Sequence, residues 1–219
     1  MIASLRAEEV AEGLRRVAQK WRAAKEQLTA LDAAIGDGDL GITMSRGAEA
    51  VLEGLVSPEN DVGEILLRAG MIFNDAAPST MGALLGTAFI AMGRQSRGES
   101  QIDLRDIAHM VEAADEAVRA RGGAKIGDKT MLDALVPARA ALQRAAQAGA
   151  GLLAAFSAAG VAAQEGLRST VRLESSAGRA RWLGQRTIGH QDAGATVVYL
   201  AFDASVEYLR TLDRSPEVT

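Results

Sequence analysis

An apolar stripe near the N-terminus restricts the fold of this chain more than any other feature of its sequence. Its residues recur in alternating steps of four and three: Val10, Leu14, Val17, Trp21, Ala24, Leu28 and Leu31. Positions with this spacing share one face of an α-helix, so the stripe predicts one long amphipathic helix. Similar periodicity predicts seven further helices, among them one from residue 104 and one over residues 152 to 173. The aromatic content of 4% and the Ala- and Leu-rich runs also favour helices over sheets.

Length and composition set further bounds. The chain has 219 residues and no sequence resembling a linker, which predicts one domain over residues 1–219. A net charge of -4 gives no electrostatic reason to expect binding to nucleic acid or to an anionic membrane. The absence of cysteine excludes disulfides and cysteine-ligated metals. The N-terminus lacks the apolar core of a signal peptide, and no stretch is long enough to span a bilayer. These observations predict a soluble, cytoplasmic protein.

The connectors between the predicted helices differ in kind. Most are short, so consecutive helices are expected to pack as antiparallel neighbours in an all-α bundle of eight helices. In such an array the first, third, fifth and seventh connectors lie at one end. These four carry the unusual sequences IGDGDLG, NDAAPSTMG, GGAKIGDKT and AGRARWLGQRTIGHQDAG, whereas the connectors near 56–60, 94–103 and 148–151 resemble spacers. Helix N-termini that meet at one end favour anions, phosphate above all, so the ligand site is predicted there.

The first of these connectors is acidic. The motif LDAAIGDGDLG contains three aspartates, Asp32, Asp37 and Asp39, separated by glycines. Clustered carboxylates repel one another unless a cation lies among them, and hard oxygen ligands suit Mg²⁺. An EF-hand calcium loop is excluded, because Gly41 and Ala48 occupy positions that require oxygen ligands. A solvated turn with capping aspartates is the alternative interpretation.

The other connectors contain single residues with two interpretations each. GGAKIGDKT is not a P-loop, because Asp128 stands between the glycine and the lysine and no strand precedes it; Asp128 is interpreted as a helix cap. Arg179 matches phosphate geometry, or is a solvated loop arginine. Asp192 either caps the last helix or bounds a nucleotide pocket. His190 either lies near the ligand or makes a structural hydrogen bond, and His109 is predicted to be a surface residue.

Four motifs, in this order, resemble the nucleotide-binding L subunit or L domain of dihydroxyacetone kinases: LDAAIGDGDLG, GDKTMLDAL, GRARWLG and IGHQDAGAT. The resemblance covers nearly the whole chain and implies a closed barrel of eight antiparallel helices. It implies that Asp32, Asp37 and Asp39 hold paired Mg²⁺ ions against the phosphates of ADP or ATP, and that these aspartates and Arg179 are the catalytic groups. The nucleotide contacts that it implies are Leu40, Gly41, Ile42, Thr43, Met81, Gly82, Gly122, Met131, Arg179, Asp192, Ala193 and Gly194.

The resemblance also implies partners. In the family, the ketose is bound covalently to a histidine of a K subunit, which docks over the nucleotide end of the L subunit. In some systems a phosphotransferase-system protein recharges bound ADP, whereas in others ATP exchanges. This sequence departs from the family pattern at Leu40, which replaces a histidine, at Thr43, which replaces an asparagine, and at Met81, which replaces a serine. These changes favour a kinase for another short ketose, such as erythrulose. A homodimer stays an open alternative.

The predicted function is therefore that of an Mg²⁺-dependent phosphotransferase subunit. It would bind ADP or ATP and transfer a phosphoryl group to dihydroxyacetone, or to a similar ketose held on a partner K subunit. A non-catalytic nucleotide-binding module that docks on a partner and regulates it is the alternative. A bare helical scaffold is a third hypothesis, and the concentration of glycine-rich motifs at one end argues against it.

Overall fold

The computed structural model describes residues 2–55 and 60–214, and within these ranges the chain forms nine α-helices and a two-stranded antiparallel sheet. The helices are α1 (Ala7–Ala23), α2 (Lys25–Ile35), α3 (Leu40–Gly54), α4 (Val62–Ala76), α5 (Thr80–Gln95), α6 (Leu104–Gly122), α7 (Leu132–Gln147), α8 (Leu152–Ser169) and α9 (Ala193–Arg214). The strands are β1 (Ser4–Arg6) and β2 (Gln101–Asp103), and two 3-10 helices span Thr170–Arg172 and Arg179–Thr187. The predicted all-α class is confirmed. None of the described helices combines the length and the hydropathy that crossing a membrane requires.

The helices close into a barrel. From α3 to α9 each helix packs against the next one in the chain, and α9 returns to contact α1, which also packs on α3. The short α2 contacts the same two neighbours, α3 and α9, so that α1 and α2 share one position in the ring. The ring therefore has eight positions, as predicted, and its wall is made of antiparallel neighbours joined mostly by short connectors, with a longer one over residues 170–192.

The first predicted helix is interrupted at Ala24, so the prediction of one continuous helix was wrong in this detail. The Ala24 N–H is shared between the carbonyl oxygens of Lys20 (3.1 Å) and Trp21 (3.2 Å), which tightens the backbone locally. The Leu28 N–H nevertheless donates to the Ala24 carbonyl at 2.9 Å, and both Trp21 and Leu28 are buried. The apolar stripe survives because the tightening shifts the helix without turning its buried face outward.

Apolar side chains fill the inside of the barrel. Trp21 meets Phe73 and Phe89 edge to face, with ring centroids 5.7 and 6.3 Å apart, and its indole N–H donates to the Val197 carbonyl at 2.9 Å. This bond joins α1 to α9 at the point where the ring closes. An apolar cavity of about 220 Å³ remains in the interior, and Met131 forms part of its wall.

Other predicted boundaries fit with small differences. Asp61 caps α4 as predicted, because its carboxylate accepts the Glu64 N–H at 3.1 Å. The helix predicted over residues 152 to 173 ends at Ser169 and continues only as a 3-10 turn. The predicted spacer at 94–103 contains β2, which pairs with β1 in a sheet too short to leave a periodic signal. The predicted connector at 56–60 lies outside the described residues except for Asn60.

Two glycines of α5 allow the close helix packing that the sequence suggested. A Cβ atom on Gly82 would collide with the Ala77 carbonyl oxygen, and one on Gly86 would lie 2.8 Å from the Asn74 Cβ atom. The Ser79 hydroxyl caps the same helix by accepting the Gly82 N–H at 3.0 Å. The backbone at the start of α5 therefore lies directly against the end of α4.

Candidate functional site

The three aspartates of the first connector lie together. Asp32 belongs to the last turn of α2, whereas Asp37 and Asp39 follow in the loop, and the three offer carboxylate oxygens within 4.8 Å of one another. Gly38 makes the turn possible with a φ of +77°, a conformation that side chains rarely adopt. Within residues 2–55 and 60–214 this is the one acidic or histidine-containing group with such geometry. Three oxygen ligands this close suit a hard divalent cation such as Mg²⁺.

A cavity of about 300 Å³ lies beside the aspartate cluster and is lined by residues of all four unusual connectors. The walls thus come from the α2–α3 loop, the start of α5, the α6–α7 loop, and the connector between α8 and α9, residues 170–192. The predicted site residues that line this cavity are Asp32, Asp37, Asp39, Leu40, Met81, Gly122, Met131, Arg179, Asp192, Ala193 and Gly194. Residues of the lining that the sequence did not single out include Ser79, Thr80, Lys129, Thr130 and Ser175.

Four predicted nucleotide contacts lie outside this lining: Gly41, Ile42, Thr43 and Gly82. Gly41 faces α2, since a Cβ atom there would collide with the Lys25 carbonyl oxygen. The Thr43 N–H donates to the Asp39 carbonyl at 3.0 Å and is thus used within the helix. Ile42 is exposed at the start of α3. The structure therefore gives these positions packing or surface roles, and their nucleotide contacts stay predictions.

Arg179 extends towards the aspartate cluster from the opposite side of the cavity. It is the first residue of the 3-10 helix Arg179–Thr187, and its guanidinium forms an ion pair with the Asp37 carboxylate. Both side chains are exposed. An anion accompanied by divalent cations can bind here, because the guanidinium attracts the anion and the three carboxylates attract the cations.

The prediction that Asp192 caps the last helix is confirmed, whereas its place in a nucleotide pocket stays a prediction. Its carboxylate caps α9 by accepting the Ala195 N–H at 2.6 Å, and it lines the cavity. Burial raises the pKa of Asp192 to about 7, and the Asp133 carboxylate acts in the same direction, whereas the Ala195 N–H and Lys129 act against it. The carboxyl group therefore changes its charge near neutral pH.

The predicted cap at Asp128 is wrong. Helix α7 begins at Leu132, and the carboxylate that organises its first turn belongs to Asp133, which accepts the N–H groups of Gly127 (2.6 Å) and Thr130 (2.7 Å). Asp128 instead accepts the Lys125 N–H at 2.8 Å and the Ser176 hydroxyl at 2.7 Å. A loop residue can compete with a helix cap in this way because aspartate also stabilises turns.

Lys129 is the main feature that the sequence did not reveal. Its side chain is only 2% exposed, and its ammonium donates to four main-chain carbonyl oxygens of the connector 170–192. One of the four belongs to His190, whose imidazole is exposed and does not line the cavity. The only sign of this lysine in the sequence was its place in the connector GGAKIGDKT, directly before Thr130 and Met131. His109 is exposed on α6, as predicted.

The DAK2 domain family matches residues 34–207. The chain belongs to the DAK2 domain family. This DAK2 chain is 35% identical, over 196 residues, to the ADP-binding subunit DhaL of the PEP-dependent dihydroxyacetone kinase of Escherichia coli. The match covers 89% of the chain and 93% of that subunit. The resemblance to the L subunit of dihydroxyacetone kinases is thereby confirmed.

Two longer relatives contain a similar region. The DAK2 chain is 37% identical over 181 residues to the L-erythrulose kinase of Pectobacterium atrosepticum, which is 81% of the chain and 31% of that protein. Its fold matches the crystal structure of the dihydroxyacetone kinase from C. freundii in complex with AMP-PNP and Mg²⁺, with a TM-score of 0.72 and 26% identity. That match covers 94% of the DAK2 chain and 35% of the kinase chain, so the DAK2 chain corresponds to about a third of these longer proteins.

Proposed function

We propose that this chain is the Mg²⁺- and nucleotide-binding subunit of a kinase that phosphorylates a short ketose held by a partner K-type subunit. One observation carries the proposal: three aspartates and Arg179 meet at one edge of a cavity that all four unusual connectors line. Support comes from relatives named as an ADP-binding kinase subunit and as a sugar kinase, and from a similar fold crystallised with AMP-PNP and Mg²⁺.

In this proposal Asp32, Asp37 and Asp39 hold two Mg²⁺ ions. The metal would supply positive charge that neutralises the phosphate oxygens. The carboxylates fit this task because their oxygen atoms lie within 4.8 Å of one another, and two of the three side chains are exposed to incoming ligand. The starts of α5, α7 and α9 also border the cavity, and the positive ends of their helix dipoles favour the same phosphates.

The nucleoside would bind deeper in the cavity. Leu84, Val118 and Met131 provide apolar side chains there, and Gly122 leaves room for close approach to the backbone. Such a lining suits a flat aromatic base, with the polyphosphate directed towards the aspartate cluster. ADP and ATP both fit this arrangement, so the same site serves a permanently bound ADP that a phosphotransferase-system protein recharges, or an ATP that exchanges.

Phosphoryl transfer would depend on positioning and on charge neutralisation rather than on a base from this chain. Arg179 would leave Asp37 for the transferring phosphoryl group, because a planar guanidinium binds phosphate oxygens in a bidentate manner. The partner would supply the acceptor hydroxyl and any base. Dihydroxyacetone and erythrulose are the acceptors that we propose, since related chains carry these sugars in their names.

The test is a reconstituted assay. The purified chain would be mixed with a K-type subunit, Mg²⁺-ATP and either dihydroxyacetone or erythrulose, and the sugar phosphate would be followed by phosphorus NMR. Product that requires both proteins and Mg²⁺ is the expected result. Nucleotide binding without any transfer would favour the regulatory module instead, and the absence of nucleotide binding would exclude both functions. A parallel assay with a phosphorylated phosphotransferase-system protein in place of ATP distinguishes the two phosphoryl sources.

A further inference from the structure

Lys129 has an unusual setting for a lysine that borders a ligand cavity. Its ammonium donates to the carbonyl oxygens of Thr170 (2.7 Å), Leu173 (3.2 Å), Thr187 (2.8 Å) and His190 (2.5 Å). An ammonium has three N–H donors, and four acceptors occupy them completely. Lys129 therefore has no donor left for a phosphate, unlike the lysine of a P-loop, and a direct contact with the nucleotide does not explain it.

The four carbonyl groups show what the lysine holds. Thr170 and Leu173 precede Arg179 in the chain, whereas Thr187 and His190 follow it. One ammonium therefore clamps both ends of the segment that carries Arg179. Hereafter we call residues 173–187 the arginine segment. Because every acceptor is a main-chain atom, the clamp fixes the path of the backbone and not merely one side chain.

The backbone of Lys129 indicates that its position is held by its surroundings. Its φ is +60°, and it is the one non-glycine residue with positive φ in the part of the chain that the structure describes. Burial lowers the pKa of Lys129, whereas the carboxylates of Asp192 and Asp133 oppose this shift. A left-handed backbone and a buried ammonium are both costly, and such features persist where the surrounding contacts require them.

Neighbouring contacts support the same attachment. The Ser176 hydroxyl donates to the Asp128 carboxylate at 2.7 Å, and the Ser176 N–H donates to the Asp128 carbonyl at 3.2 Å. Within the connector, the Thr187 hydroxyl accepts the Ser175 N–H at 2.9 Å. The loop between α6 and α7 thus holds both ends of the arginine segment, and the Ser175–Thr187 bond ties these ends to each other.

We infer that Lys129 is a positioning residue for phosphoryl transfer, because its clamp on the arginine segment holds Arg179 facing the aspartate cluster. This inference rests on the proposed function of the site. Lys129 acts through Arg179, so its loss should affect those ligand groups that Arg179 reaches and spare the nucleoside end of the ligand.

The first experiment compares two ligands by isothermal titration calorimetry. Lys129→Met is expected to weaken Mg²⁺-AMP-PNP binding by about tenfold or more, because small misplacements of a binding group are costly. AMP, which lacks the β- and γ-phosphates, should bind to this variant as it does to the unmodified protein. Lys125→Met is the matched control, because Lys125 lies in the same loop but is exposed and does not line the cavity.

The second experiment tests whether the effect passes through Arg179. If Lys129 only positions Arg179, the double variant of Lys129→Met and Arg179→Met should bind Mg²⁺-AMP-PNP no more weakly than Arg179→Met alone. Multiplied losses in the double variant would overturn the inference, as would equal losses for AMP and AMP-PNP in Lys129→Met. Trypsin cleavage after Arg179, Arg181 or Arg186 should be faster in Lys129→Met than in Lys125→Met, and equal rates would also contradict the clamp.

If Lys129→Met does not fold, Ser176→Ala removes an exposed anchor of the same segment; it should weaken Mg²⁺-AMP-PNP binding without changing AMP binding, and unchanged affinity would overturn the inference. If the unmodified protein and Lys125→Met both fail to bind Mg²⁺-AMP-PNP, the proposed function fails. The trypsin comparison would then still decide whether Lys129 holds the arginine segment.

Discussion

Arg179 and Asp37 form an ion pair although they lie far apart in the chain, in the connector before α9 and in the loop after α2. Both side chains are exposed, and exposed ion pairs contribute little to stability. The pair is therefore informative about geometry: closing the barrel brings the connector 170–192 over the α2–α3 loop, so that the acidic and basic parts of the site face each other across one cavity.

The first prediction concerns the aspartate cluster. Asp37→Ala should abolish Mg²⁺-dependent nucleotide binding, because it removes one of three converging carboxylates and the partner of Arg179. Calorimetry with Mg²⁺-ADP measures the loss, and circular dichroism should show unchanged helicity. Asp75→Ala is the control, since Asp75 is an exposed aspartate near the end of α4 that does not line the cavity. Unchanged affinity in Asp37→Ala would remove the metal assignment.

The second prediction concerns two glycines of α8 that differ in their surroundings. A Cβ atom on Gly166 would collide with the Asp133 carbonyl oxygen, whereas one on Gly160 would lie 3.7 Å from the Val206 Cγ2 atom. Gly166→Ala should lower the free energy of unfolding by about 2–3 kcal/mol, because α8 must move away from the start of α7. Gly160→Ala should raise it by about 0.5–1 kcal/mol, because alanine suits a helix interior better. Urea denaturation measures both, and changes of equal sign would refute the packing argument.

The third prediction concerns pH. The pKa of Asp192 is raised from 3.8 to about 7. Between these two pH values the folded protein keeps the proton of this carboxyl group, whereas the unfolded chain has released it. The contribution of this group to stability is therefore complete below its unfolded pKa and is lost as the pH rises through its folded pKa. Asp192→Asn keeps an efficient cap but cannot ionise. Relative to the unmodified protein, the variant should gain about 1–3 kcal/mol between about pH 4 and about pH 8.

Urea denaturation at several pH values checks this expectation. The comparison isolates Asp192, because every other titrating group is common to both proteins. A stability difference that stays constant with pH would show that Asp192 does not change its charge in this range.

The fourth prediction concerns docking of the proposed K-type partner. Trp182 is 77% exposed on the 3-10 helix that begins at Arg179, and the Arg181 guanidinium lies 4.6 Å from the centre of its ring. Exposed tryptophan and arginine are typical of the residues that dominate protein interfaces. Trp182→Ala should raise the concentration of K-type subunit needed for half-maximal transfer by about tenfold, without changing nucleotide affinity. Val161→Ala is the control, because Val161 is an exposed apolar residue in the middle of α8. An unchanged requirement for the partner would place the interface elsewhere.

Much of the barrel and part of the site could be predicted from the sequence, because both depend on relations between near neighbours. Residues three and four apart share a helix face, so the apolar stripes predicted the helices and their buried sides. Short connectors force neighbouring helices to run in opposite directions, and this alternation predicts that Asp32, Asp37, Asp39 and Arg179 lie at one end of the bundle. The break at Ala24 escaped prediction because it leaves the stripe unchanged.

The tertiary structure decided those features whose partners are distant in the chain. Asp133 rather than Asp128 organises the start of α7, because Ser176, which lies close only in the folded barrel, engages Asp128. The sequence around Lys129 resembles a phosphate-binding loop, yet its four acceptors come from residues 170 to 190 and converge only when α8 and α9 pack beside α7. Periodicity carries information about the face of a helix, whereas the surroundings of a buried charge exist only once the ring has closed.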